Sequence, residues 1–300
     1  IGLTLLFLTP GLLISGLIEW VSSDSHHEFS LFATAAIAAV LGLSLRAVTS
    51  IADDSMDRPK AIFSVDAWSW VGCVLIGMLP YLFAGVFPWS RIDNALFETI
   101  SGFSTTGSTV LRDIEATSSG ILFWRQLTQW YGGMGIIVLA VTVLPSLGVG
   151  GLQLMTAESP GHESDKLRAR SIDTAKSLWI VYFGVTITIA LLLWATPNVG
   201  LYDAVAHGLS TAAIGGFSTK NGSIGSFDSY LVELIIVFGM FIGAMNYNLQ
   251  YKFWKNKGDF RIFTRSSEWK LYVRITLLFV TVIFLMNWLM DSVDVGIAFR

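Results

Sequence analysis

Apolar residues come in long blocks separated by short polar ones. Residues 1–20 are apolar almost throughout, with Pro10 in the middle. About 20 such residues are enough to cross a bilayer core. A polar turn at 22–28 holds His26, His27 and Glu28, and a second apolar block follows at 29–50. These two predict a helical hairpin. Further blocks at 64–83, 121–144, 175–194, 230–251 and 271–290 each predict a span. The pattern predicts an all-α polytopic membrane protein.

One stretch between spans does not fit a simple loop. Residues 94–111 read N-A-L-F-E-T-I-S-G-F-S-T-T-G-S-T-V-L. The first half predicts a short helix. The run Ser104, Thr105, Thr106, Gly107, Ser108 is poor helix material. Non-helical backbone at membrane depth survives only when it is buried in protein or lines a water-filled cavity. Carbonyl oxygens of such a backbone can replace the water around a cation.

The same unit recurs at 203–219, D-A-V-A-H-G-L-S-T-A-A-I-G-G-F-S-T. An offset of 109 residues puts Ala95 on Ala204, Ser101 on Ser210 and Gly107 on Gly216. A rival offset of 114 aligns Gly102-Phe103-Ser104-Thr105 with Gly216-Phe217-Ser218-Thr219, but puts the flanking spans out of step. Repeated units of this kind suggest a pseudo-symmetric pore or transporter. The expected organisation is a hairpin with its loop at 1–62, repeats at 63–170 and 171–262, and a third repeat opening at 263–300. Val295-Gly296 resembles Val199-Gly200, where such a third short helix would begin. Two filter loops do not surround an ion in fourfold fashion, so the chain is expected to be a piece of a longer protein.

Composition agrees with the blocks. Of 300 residues, 53% are apolar and 14% charged, against roughly 25% charged in a soluble domain. Mean hydropathy is +0.62. The net charge of −3 says little, but its distribution is informative. With both short loops re-entrant, 14 of the 19 Lys and Arg fall on one side. Cytoplasmic loops carry that excess, so the N-terminus is expected in the cytoplasm and the loops open outward. The single cysteine, Cys73, forms no intrachain disulfide. The first residues show neither a basic leader nor a small-residue cleavage site.

The runs F-E-T-I-S-G-F-S-T-T-G-S-T-V-L, I-L-F-W-R-Q-L-T-Q-W-Y-G-G-M-G-I-I-V-L-A-V, L-G-V-G-G-L-Q-L-M-T-A-E-S-P-G and S-T-A-A-I-G-G-F-S-T resemble the Trk/Ktr/HKT potassium transporters. The Trk-type membrane subunit is the nearest branch. The resemblance implies repeated span–pore helix–span units, potassium-channel-like, with re-entrant filter loops and four repeats in one chain. It implies a filter glycine in each repeat, here Gly107 and Gly216. It also implies a bacterial inner-membrane protein that pairs as a homodimer on cytosolic nucleotide-binding regulatory subunits. A glycine at Gly107, where sodium-preferring plant relatives carry serine, argues for potassium. The third and fourth filters and the family's gating loop are absent from this stretch.

The expected K+ ligands are backbone carbonyls of Ser104, Thr105, Thr106, Gly107 and Ser108, and of Ala213, Ile214, Gly215, Gly216 and Phe217. Glu98 and His207 take equivalent places on the two short helices. They are expected to satisfy polar groups behind the filter, or else to draw cations to the outer mouth. Arg125 and Glu233 are expected as a structural pair or as snorkelling helix-end residues. Gly132-Gly133-Met134-Gly135 predicts close helix packing, with a hinge as the alternative. Gly148-Val149-Gly150-Gly151 has no preceding strand, so it is a poor nucleotide cradle. His26-His27-Glu28 lacks a partner cluster for a metal.

No nucleophile–base pair stands out, so enzyme activity is not expected, and neither an organic cofactor nor nucleic acid is implied. The expected function is potassium uptake. The alternatives are a cation-coupled transporter of a small organic solute and an intramembrane hydrolase. The basic segment 252–270 and the segment 158–170 are candidate docking loops for regulatory subunits, or ordinary positive-inside charge.

Overall fold

The computed structural model describes residues 1–22, 27–48, 59–146 and 163–290, all helix, turn and loop. His26, most of the polar segment before the third span, residues 147–162 with their glycine run, and Val295-Gly296 lie outside these residues. The chain divides into two compact units, Ile1–Gly243 and Ala244–Arg300.

The first unit opens with α1 (Gly2–Ser22) and α2 (Glu28–Val48), packed along each other as the expected hairpin. Small residues set their spacing. A Cβ on Gly42 would meet Leu6 Cγ at 2.8 Å, and one on Gly2 would meet the Gly42 carbonyl at 2.7 Å. The third span is two helices, α3 (Pro59–Gly77) and α4 (Leu79–Phe83). Pro80 sits in the first turn of α4, where its missing N–H breaks no helical bond. The Gly77 carbonyl at the break accepts a hydrogen bond from Trp124 Nε1 at 3.0 Å.

Next come the short α5 (Ile92–Phe103) and the long α6 (Ser119–Ser146), then α7 (Glu163–Trp194), short α8 (Leu201–Ala212) and α9 (Tyr230–Gly243). α7 begins well before the expected residue 175, so the polar residues 163–170 are helical. α6 packs against α1, α5, α7 and α8. Glu19 near the end of α1 accepts from Gly120 N at 2.6 Å, at the start of α6. A carboxylate there satisfies an orphan amide and suits the helix dipole.

Among the described residues, five helices are long and apolar enough to cross a membrane, Gly2–Ser22, Glu28–Val48, Ser64–Phe83, Lys176–Trp194 and Ser267–Trp288. α6, at 28 residues, also has the length. The expected span at 230–251 is interrupted. α9 stops at Gly243, and Asn246 caps a new helix by accepting from Asn248 N at 2.8 Å.

The second unit holds α10 (Tyr247–Lys255), α11 (Arg261–Arg265) and α12 (Ser267–Met290). Phe253, Phe260, Phe263 and Trp269 form a chain of ring contacts that ties its turns together. Asn246 donates to Glu268 at 3.0 Å.

Candidate functional site

The two short helices are copies. Each has 12 residues, and each bound of α8 is the bound of α5 plus 109. Both bury one stripe at helical spacing, Ala95, Glu98, Thr99 and Gly102 in the first, Ala204, His207, Gly208 and Thr211 in the second. Ala95 and Ala204 are both fully buried.

The loops leaving these helices repeat bond for bond. Thr105 N donates to the Gly102 carbonyl at 2.9 Å and Thr106 N to that of Ser101 at 3.0 Å. Ile214 N donates to Thr211 at 3.0 Å and Gly215 N to Ser210 at 2.8 Å. This is a Schellman ending, whose left-handed position normally takes glycine. Here it is held by Thr105 at φ 55° and Ile214 at φ 54°. Two residues on, Gly107 has φ 76° and Gly216 φ 83°. A left-handed backbone at a β-branched residue is an outlier; finding it twice, 109 apart, selects that offset over 114.

The loops meet. A Cβ on Gly107 would collide with the Gly215 carbonyl oxygen and stand 3.4 Å from Gly216 Cα. A side chain there has to displace that carbonyl, and the left-handed φ independently favours glycine. Ser104, Thr106 and Ser108 of the first loop are exposed, whereas Ala213, Gly215 and Phe217 of the second are buried.

Behind the loops lies a buried polar network. Glu98, fully buried, accepts from Arg125 Nε at 2.6 Å, Thr109 Oγ1 at 2.9 Å and Val110 N at 2.9 Å. His207, its counterpart, bonds Ser218 Oγ at 2.9 Å and the Asp203 carbonyl at 2.7 Å. Ser218 is Thr109 plus 109, so the same helix-to-strand contact occurs twice. Both residues satisfy polar groups behind the loops. Arg125 is 1% exposed and pairs with Glu98 rather than Glu233, and it does not snorkel. Its Nη1 donates to the Ser218 carbonyl at 2.9 Å, and its guanidinium lies 3.5 Å over the Phe217 ring.

Gln129, one turn further along α6, was not singled out from the sequence. Its Nε2 donates to the Gly215 carbonyl at 2.6 Å, and its Oε1 accepts from Ser210 Oγ at 2.7 Å and Phe217 N at 3.2 Å. The Gly215 carbonyl, one of the expected ligands, therefore has one lone pair engaged and one to offer a cation.

The glycine run of α6 serves close packing, since the helix continues through it. A Cβ on Gly132 would collide with the Phe103 carbonyl, and one on Gly133 would stand 2.8 Å from Tyr182 Oη. The second copy repeats this at Gly243, 3.0 Å from the Ala212 carbonyl. The inner-helix offset is thus 111, with two residues added in the outer loop of the second copy. That loop grips the first: Asn221 Oδ1 accepts from Ile114 N at 2.7 Å, and its Nδ2 donates to Asp113 Oδ1 at 2.9 Å. The Asn221 amide, with the Ala116 N–H, holds the Asp113 carboxyl below its ordinary range.

A sequence profile described as TrkH, cation transport protein, matches residues 27–295. The chain belongs to the TrkH cation transport protein family. The Trk system potassium uptake protein TrkH of Salmonella typhimurium is 36% identical over 298 residues, 98% of this chain and 60% of that protein. The TrkH protein of Halomonas elongata is 44% identical over 201 residues, 67% of this chain and 41% of that one. The crystal structure of the potassium transporter TrkH from Vibrio parahaemolyticus matches with a TM-score of 0.85 and 31% identity, over 99% of this chain and 60% of that chain. This TrkH-family chain therefore spans about 60% of the length of the Salmonella relative. A multi-pass, all-helical membrane protein follows from the family and the apolar helices together.

Proposed function

We propose that this chain forms part of a pathway taking up potassium across a bacterial inner membrane, with Gly107 and Gly216 at the centres of two filter strands. The observation that carries the reading is the meeting of two loops with matched left-handed backbone at 105, 107, 214 and 216. In an extended strand successive carbonyls point to opposite sides. A φ that changes sign from residue to residue breaks that alternation and lets neighbouring carbonyls face one side, as a bare cation requires. The strain at Thr105 and Ile214 points the same way, since such outliers persist where surrounding structure over-determines them. Both loops leave helix C-termini, whose partial negative charge favours a cation.

In this reading the ligands are main-chain oxygens of Ser104 to Ser108 and Ala213 to Phe217, and the step is exchange of water for carbonyls with no covalent chemistry. Residues 63–170 and 171–262 are the two repeats, flanked by 1–62 and by a third repeat opening at 263. The N-terminus is cytoplasmic, which puts the basic residues of 252–270 on the cytoplasmic side. The full-length protein pairs as a homodimer and docks cytosolic nucleotide-binding regulatory subunits there. The relatives named as potassium uptake proteins support a monovalent cation over an organic solute.

The test is potassium uptake by the full-length protein in cells lacking other uptake routes. Gly107→Ser is expected to shift the ratio of potassium to sodium transport. Unchanged uptake with an unchanged ratio counts against the filter assignment.

A further inference from the structure

The two loops are braced differently. The first is held by its own short helix: Ser101 Oγ donates to the Ser108 carbonyl at 2.6 Å, and Glu98 takes Thr109 Oγ1 and Val110 N. In the second copy the serine equivalent to Ser101, Ser210, turns its hydroxyl to Gln129 instead. Its own short helix still holds the end of the loop, through His207 to Ser218 Oγ and Asp203 to Thr219 Oγ1, but the grip on residues 215–217 comes from α6, a helix of the first copy. Gln129 holds the Gly215 carbonyl and Phe217 N, and Arg125 covers the Phe217 ring and holds the Ser218 carbonyl. At the inner-helix offset of 111, α9 carries Ile236 and Met240 where α6 has Arg125 and Gln129. Neither can offer a hydrogen bond.

We propose that Arg125 and Gln129 are positioning residues that set cation discrimination at the second filter, so that one repeat tunes the filter of the next. The proposal rests on the filter reading above. A carbonyl held at 2.6 Å by an amide donor can neither turn freely nor offer its full charge to an ion. Discrimination between potassium and sodium is attributed to cavity size or to the number and field strength of the carbonyls in a flexible filter, and a tethered carbonyl alters both. Releasing Gly215 lets its carbonyl close on the smaller ion. Neither side chain reaches the ion path; both act through main-chain oxygens.

The experiment uses the full-length protein and measures potassium and sodium flux side by side, with membrane abundance checked for each variant. Gln129→Leu is expected to raise sodium flux relative to potassium by about fivefold, the factor that one lost hydrogen bond of ordinary strength represents. Arg125→Lys keeps the charge beside Glu98 but loses the planar fork, and is expected to shift the ratio the same way. Should Gln129→Leu fail to reach the membrane, Ser210→Ala carries the test. It removes only the hydroxyl that orients Gln129, and a smaller shift in the same direction is expected. Wild-type ratios in the variants that reach the membrane, together with a changed ratio in Gly107→Ser, overturn the proposal and leave the filter standing. A wild-type ratio in Gly107→Ser as well removes the filter reading on which it rests.

Discussion

Arg125 Nε donates to Glu98 Oε1 at 2.6 Å with both side chains out of solvent, 1% and 0% exposed. The pair joins α6 to the first short helix, and through the guanidinium Nη1 reaches the second loop. Removing one partner of a buried pair leaves an uncompensated charge and costs about 3–5 kcal/mol. Glu98→Ala is therefore expected to destabilise the detergent-solubilised protein by an amount in that range, read as a lowered thermal unfolding midpoint. A loss below about 1 kcal/mol would mean that water reaches the guanidinium.

Thr105 stands in left-handed backbone where glycine is the usual occupant. That conformation costs a residue with a Cβ roughly 1–2 kcal/mol, and glycine's extra unfolded-state freedom takes back roughly 0.5–1. Thr105→Gly is expected to raise stability by about 0.5–1 kcal/mol, measured by the same melting experiment. A melting point lowered by this change would show that the threonine side chain contributes more than its backbone costs.

Gly132 faces the Phe103 carbonyl more closely than Gly243 faces that of Ala212. The first contact has no room for a methyl group; the second, at 3.0 Å, needs a shift of a few tenths of an ångström. Gly132→Ala is expected to cost about 1–3 kcal/mol, and Gly243→Ala clearly less. Equal losses in thermal stability would contradict the packing described for α6.

Asp113 and Asn221 link the outer loops of the two copies. Because the folded carboxyl titrates below its ordinary value of 3.8, the charged form is the one that favours the linked state. Its contribution is fully present above the unfolded pKa and is lost as pH falls through the lower folded one. Amide exchange at Ile114 and Ala116, whose N–H groups bond Asn221 and Asp113, is expected to quicken relative to the intrinsic rate below about pH 4. Asn221→Ala is expected to abolish that pH dependence at Ile114 and to leave it at Ala116, which bonds the carboxylate directly. Protection that stays constant down to pH 2 would separate the loops from this carboxylate.

Hydropathy blocks made the hairpin and most spans legible, since each needs only a run of apolar residues. The short helices were legible through Ala95, Ser101 and Gly107 recurring 109 residues on. Three features were not. The Schellman endings are hidden because Thr105 and Ile214 stand where glycine would announce them. Gln129 gives no signal, because one amide on a span has neither charge nor pattern to mark it. The stop after Gly243 falls inside an apolar run, where composition alone reads as continuous helix. Arg125 stands out as a charge on a span, but its partner is 27 residues away on another helix, a pairing that only the fold decides.

The crossing of short helix and inner helix carries a further consequence. In the first copy Gly102 makes room for Thr128; in the second, Thr211 presses on Gly239. Bulk and gap have changed sides. Exchanging the two short helices would set threonine against threonine at one crossing and leave a void between two glycines at the other. The two short helices, alike in length and backbone, are thereby made non-interchangeable, each cut to the inner helix it crosses.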